Sequence, residues 1–221
     1  MILKMDYDTK EIIWVATPAY SKDEQGAIHA VQDSISDKIV LPAEDDADFE
    51  WFYSQHEIVP LPDVDGNPNT DDFTIFDNGE DRGVYGLYDG ITDKNSFYSR
   101  IVHYRVDYTE KTITQVFDWG KDAYPSLASY YYGGAQYIAE QGETAYLGCF
   151  GMLDFGKGTQ YGNWVGSKIV LVSDEGEAEC TWHFANRYTY RAHYLKMDDF
   201  SEIRMPELGT PGTALYEGNA S

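Results

Sequence analysis

The chain reads as an all-β protein with the organisation of a β-propeller. Three observations predict this: strand-length runs that alternate apolar and polar residues, a high aromatic content, and a hairpin unit that recurs and ends in tryptophan. Aromatic residues make up 15% of the 221, with 19 Tyr and 5 Trp. Such flat, amphipathic rings pack well on a pleated surface. Twenty Gly and 8 Pro suit many tight turns between short strands. The recurring unit is a strand, an acidic turn and a second strand. Residues 2–7 lead through Thr9-Lys10 to Ile12, Ile13 and Trp14. Residues 102–108 lead through Glu110-Lys111 to Ile113 and Trp119, and residues 169–174 through Glu175-Gly176 to Trp182. Propeller blades run about 40 to 50 residues, so this spacing fits blades with copies missed between them. Plain hairpins in a sandwich are the competing architecture, and the repeat favours the propeller.

Strands are expected, in order, at 11–16, 38–41, 56–61, 72–76, 99–106, 112–119, 136–139, 144–150, 168–173, 179–184 and 188–194. Ile101-Val102-His103-Tyr104-Arg105-Val106 shows the period-2 pattern of a sheet with a buried face. Helical periodicity is scarce, and the one helical candidate covers 27–34. Three or four blades cannot close a ring without exposing unpaired strand edges. The expectation is therefore three to four blades of a six-bladed ring in an N-terminally truncated chain. Residues 1–205 would form the partial propeller. From Pro206, with Gly209, Pro211, Gly212 and Gly218, residues 206–221 would form a loosely held tail.

A formal charge of −22, from 16 Lys+Arg against 38 Asp+Glu, argues against nucleic acid, which needs a basic stripe to displace counterions. An anionic substrate would need a local positive pocket inside this acidic envelope. No apolar run is long enough for a membrane-spanning helix. Cys149 and Cys180 lack metal-ligand spacing, and two buried free thiols are favoured over a disulfide. Met1 opens a strand-like segment without a leader, as in a cytosolic protein or a chain whose beginning lies upstream. Asp63-Val64-Asp65-Gly66-Asn67 has its glycine too early for an EF-hand and reads as a polar hairpin loop. Glu44-Asp45-Asp46-Ala47-Asp48 reads as a solvated acidic loop. No cofactor or metal constellation stands out.

His56 is the sharpest candidate for chemistry. It follows Trp51-Phe52-Tyr53-Ser54-Gln55 and precedes Glu57-Ile58-Val59-Pro60-Leu61, where a loop passes into a strand. A lone histidine is more often packed or exposed than catalytic, so the ordered motifs around it carry the argument. Gln55-His56 is followed by Phe76-Asp77-Asn78-Gly79 and Arg82, then by Tyr98-Ser99-Arg100 leading into a long strand. Trp119-Gly120-Lys121 and Tyr124-Pro125-Ser126 complete the series. By itself, Asn78-Gly79 is a favoured two-residue hairpin turn.

In this order the motifs resemble the arylsulfate sulfotransferases over most of residues 1–130, with the likeness fading beyond. The resemblance implies an enzyme that moves a sulfuryl group from an aryl sulfate to a phenol, by a ping-pong route through a sulfohistidine on His56 and without a nucleotide donor. Tyr124 and Arg100 are the residues it offers for substrate contact. Arg100 at a strand start either pairs with an acid or faces the channel, with the structural role preferred, and Arg82 is read as bracing its loop. One tyrosine of the run Tyr130-Tyr131-Tyr132, or Tyr124, could stack on an aryl ring. The family's two further histidines and arginine sit on upstream segments absent from this chain. His29, His103, His183 and His193 do not occupy their positions, so the chain alone is expected to be inactive. The resemblance also suggests a periplasmic or extracytoplasmic setting, and it leaves a homodimer open. The competing readings are a non-catalytic propeller used for binding and, more weakly, a quinone-cofactor dehydrogenase.

Overall fold

The computed structural model describes residues 1–22, 28–30, 33–79, 98–123, 127–129, 131–140, 142–154 and 165–195. Among the described residues there are thirteen strands, two short 3-10 turns and no α-helix. The first five strands are β1 (Ile2–Met5), β2 (Ile12–Ala16), β3 (Tyr20–Lys22), β4 (Ile28–Ala30) and β5 (Leu41–Pro42). Then come β6 (His56–Pro60), β7 (Thr70–Asp77), β8 (Arg100–Asp107) and β9 (Thr112–Trp119). The last four are β10 (Gly133–Glu140), β11 (Glu143–Asp154), β12 (Val165–Ser173) and β13 (Ala178–Ala185).

Two sheets carry the architecture. β6 to β9 form an antiparallel meander, extended by β5, which lies parallel to β9 with Leu41 opposite Thr112. β10 to β13 form a second antiparallel meander. The pairs β1–β2 and β3–β4 are separate hairpins.

The first meander is covered on both faces. Val102, Tyr104 and Val106 of β8 alternate into one cluster with Ile2, Trp14, Trp51, Phe52, Phe73 and Ile75. Ile101 joins the other, with Phe76, Tyr146, Phe150, Val170 and Val172 between the sheets. Each such apolar side chain contributes about 1.5 to 3 kcal/mol when fully buried. Double coverage explains why β7 and β8 are buried along almost their whole length, polar positions included.

The recurring hairpin unit is real in its turn chemistry. Asp6 Oδ1 accepts from the amides of Asp8 (2.9 Å) and Thr9 (2.7 Å), and Lys10 takes a left-handed φ of 62°. Asp107 Oδ1 accepts from Thr109 (2.8 Å) and Glu110 (2.9 Å), and Lys111 takes a φ of 56°. The third unit turns with Gly176 at φ 86° instead.

Several expectations need correction. The segment 27–34 holds strand β4 and the start of the 3-10 turn Asp33–Lys38, not a helix. Residues 188–194 form no ladder strand. They run as a strap over the second sheet, tied by Thr189 N to Gly151 O (3.1 Å) and Tyr194 N to Gln136 Oε1 (2.7 Å). Asn78-Gly79 is no two-residue turn, because Asp77 pairs with Arg100 and the connection runs from 78 to 99. Both cysteines are free, but only Cys149 is buried, while Cys180 is half-buried. They flank β12, opposite Ile169 and Leu171. Two strand spacings, about 9.5 Å, exceed the reach of a disulfide. The tail beginning at Pro206 lies outside the described residues.

Arg100, at the start of β8, is fully buried. Its Nε donates to Asp77 Oδ2 (2.9 Å) and its Nη1 to Gln115 Oε1 (2.9 Å). Its Nη2 donates to the carbonyls of Glu50 (2.8 Å) and Trp51 (3.1 Å). Burial favours loss of the guanidinium proton, but Tyr104, Asp77, Tyr98 and Glu50 outweigh it and hold the pKa above its ordinary value. Glu50 mirrors this. Its burial is outweighed by hydrogen bonds from Lys121 and Tyr98 and by the charge of Arg100, and its pKa is lowered.

Replacing Arg100 by Met breaks its buried ion pair with Asp77. The expected loss is about 3 to 5 kcal/mol, read from the urea midpoint at unchanged m-value. Cys149 should also be a poor nucleophile. Burial first, and the Glu57 carboxylate second, push its thiol up to about 12. At pH 8 iodoacetamide should therefore label Cys180 well ahead of Cys149, as peptide mapping would show.

Candidate active site around His56

The approach to His56 is fixed from both sides. Tyr53 N donates to Asp77 Oδ1 (2.8 Å), and Gly79 N donates to Tyr53 O (2.9 Å). Because Asp77 also holds Arg100, the ion pair that closes the sheet anchors the loop carrying the histidine. Ser54 and Glu57 adopt left-handed φ of 53° and 49°, a region non-glycine residues seldom occupy. His56 opens β6 opposite Phe76, and the register slips between His56 and Val59. This bulge lets the histidine leave the regular pleat.

Among the described residues the half-buried His56 hydrogen-bonds Asn78, whose Oδ1 lies 2.6 Å from Nδ1. Asn78 is fully buried and its Nδ2 donates to Ser129 O at 2.7 Å. A carbonyl oxygen only accepts, so the amide NH₂ must face Ser129 and the amide oxygen must face the imidazole. That oxygen in turn demands a donor, so the Nδ1 proton is retained. In the neutral ring Nε2 then carries the lone pair, and it makes no hydrogen bond among the described residues. Ser99 Oγ donates to Asn78 O (2.8 Å) and accepts from Ser129 N (2.8 Å), which joins this cluster to the loop before β10.

Glu57 lies on the other side. Its side chain is 6% exposed, with Oε1 3.4 Å from both Arg191 Nε and His193 Nε2 on the strap. Oε2 is buried without a hydrogen bond. Two glycines make room here: a Cβ on Gly133 would enter the Phe76 ring, and one on Gly134 would strike Glu57 Oε2. The strap also adds aromatic surface, since Tyr132 meets Tyr188 at 6.1 Å and Tyr190 at 5.5 Å, edge to face.

The structure brings together only part of what the sequence suggested. Arg100 is offered above for substrate contact, yet its guanidinium is spent on protein acceptors and has no surface for a ligand. It positions the site from behind. Tyr124, Arg82 and Tyr130 lie outside the described residues. Tyr131 is exposed, and Tyr132 is half-buried beside the strap. His103 sits between Asp72 (2.7 Å) and Tyr146 (2.9 Å). That arrangement resembles a catalytic relay, but all three side chains are sealed in the sheet interface, where they tie β7 and β8 to β11. Asp65 binds its own loop at Asn67 N (3.0 Å) and reaches Arg105 (3.2 Å). An open cleft ringed by Glu140, Glu143, Asp174, Glu175 and Glu179 is acidic and is not lined by His56.

Residues 1–191 match the family model described as arylsulfotransferase (ASST). The chain belongs to the arylsulfotransferase family. A search of curated proteins returned no match. The family match runs well past the ordered motifs of residues 1–130, through the second meander and up to Arg191. The arylsulfotransferase family implies aryl sulfates and phenols as substrate classes, and its activity is sulfuryl transfer between them. Asn78 and Glu57 had no role in the sequence reading: the first looks like a turn residue, and the second like an ordinary strand glutamate.

The tautomer argument has a direct check. At neutral pH, ¹⁵N-edited spectra should show His56 protonated at Nδ1 and bare at Nε2. Asn78→Ala should shift the ring to the Nε2–H form, and an unchanged spectrum would contradict the assigned hydrogen bond.

Proposed function

We propose that His56 carries the sulfuryl group in a ping-pong transfer from an aryl sulfate to a phenol. The single observation supporting this is the hydrogen bond from Nδ1–H to Asn78, which leaves Nε2 as a free lone pair. In the first half-reaction Nε2 attacks sulfur, an N–S bond forms, the S–O bond to the aryl group breaks and a phenolate departs. The phenolate takes its proton from solvent. Because Nδ1 keeps its own proton, the sulfurylated ring is a cation, and Asn78 Oδ1 stabilises that charge through the same hydrogen bond. A cationic imidazole is also the better leaving group. In the second half-reaction the acceptor oxygen attacks sulfur, the N–S bond breaks and the acceptor's proton is released to solvent. No nucleotide donor enters this scheme.

The two meanders, each four strands in chain order, support a further reading as neighbouring propeller blades. β6 and β10 would then be innermost, so His56 would face the central channel. The demands of the chemistry resemble phosphoryl transfer: alignment, and positive donors around the equatorial oxygens.

The test uses the protein as its gene encodes it, with p-nitrophenyl sulfate as donor and phenol as acceptor. Parallel double-reciprocal lines are expected, and incubation with donor alone should add one SO₃ to the peptide bearing His56. His56→Asn should abolish nitrophenol release. Full turnover in that variant would overturn the assignment, and a complete gene product with no turnover would favour a binding module.

A further inference from the structure

Among the described cations, Arg191 combines three features that set it apart. Its Nε is turned onto the buried Glu57 carboxylate at 3.4 Å, one residue from His56. Its guanidinium carbon lies 4.9 Å from the centre of the Tyr190 ring. Its side chain remains 39% exposed, and its terminal amino groups donate no hydrogen bond among the described residues. Arg100 has the opposite character, buried and fully bonded. A guanidinium fixed at Nε with both amino groups open is a preorganised fork for a flat or tetrahedral oxyanion.

Glu57 explains why the fork is held there. A buried carboxylate with one oxygen lacking a hydrogen bond among the described residues is costly, and the groups reaching its other oxygen are Arg191 and His193. The carboxylate packs against Gly134, where a Cβ would strike Glu57 Oε2. Tyr190, Tyr188 and Tyr132 bring aromatic surface to the same stretch of strap.

We propose that Arg191, aimed by Glu57, binds the oxyanion end of the aryl sulfate beside His56. This rests on the His56 reading and adds to it a cation-binding role for the strap. Arg191 would be a substrate-contact residue and Glu57 a positioning residue acting through it.

The experiment combines kinetics with chemical labelling on the complete gene product. Arg191→Gln should raise the KM for p-nitrophenyl sulfate and the inhibition constant of inorganic sulfate about 10-fold or more, the loss expected for a hydrogen bond to a charged group. Arg191→Lys should recover part of that loss, since charge survives without the fork. Glu57→Gln should raise KM more than it lowers kcat, which a purely structural role would not do. If Arg191→Gln does not fold, the wild-type protein decides. Phenylglyoxal should modify Arg191, and sulfate should protect it while the exposed Arg187 stays reactive. Unchanged KM and sulfate inhibition in folded Arg191→Gln, or no sulfate protection of Arg191, overturns the proposal. His56→Asn separates the two readings: it should be inert yet still show sulfate protection at Arg191. Turnover in His56→Asn would remove the nucleophile assignment and leave the anion site standing.

Discussion

The buried pair of Arg100 and Asp77 is the constraint on which the rest depends. A guanidinium with no exposure is tolerable only where every donor finds an acceptor, and Arg100 takes its acceptors from four places: β7, β9 and the carbonyls of Glu50 and Trp51. Those carbonyls belong to the segment that leads to His56. Asp77 spends its other oxygen on Tyr53 N, so one charge pair joins the sheet to the loop. Asn78 follows Asp77 directly, and its placement opposite His56 is a by-product of the same arrangement. Replacing the pair with apolar residues of similar volume can keep a sheet packed, but it would release the loop.

His56 is thus held by a rigid scaffold rather than by its own contacts. Among the described residues the imidazole makes a single hydrogen bond, yet its partner is locked by Ser129 and Ser99, which meet in the loop before β10. Support of this kind, one layer behind the reactive atom, sets tautomer and direction together. The strained φ of Ser54 and Glu57 on either side of the histidine is affordable because the clamp at Tyr53 overrides it.

The sheets were largely legible in the sequence, and the site only in part. Period-2 alternation in 101–106 and the β-branched and aromatic residues of β7 and β9 announce strands, since coverage on one or both faces selects them directly. The Asp6 and Asp107 turns repeat because an aspartate capping two amides is a local device, visible without tertiary context. Asn78 was hidden for the opposite reason. Asn-Gly has a strong local meaning as a hairpin turn, and only the pairing of Asp77 with Arg100 shows that the amide serves a residue 22 positions away. Arg100 looked equally able to face a ligand or an acid, because a strand start says nothing of which side is dry. The strap at 188–194 alternates like a strand but crosses over the ends of a sheet instead of joining it. The resemblance to a family found His56. Glu57 and Arg191 needed coordinates, because their meeting spans most of the chain.

Gly133 and Gly134 sit where the two sheets meet, with Phe76 against the first and Glu57 against the second. A methyl group at Gly133 would enter the Phe76 ring, and one at Gly134 would displace the Glu57 carboxylate. The gap between the strand of His56 and its neighbour is thus set by bare backbone. Descendants of this protein that come to prefer bulkier acceptors must remodel their loops, because the seam itself has no smaller residue left to shed.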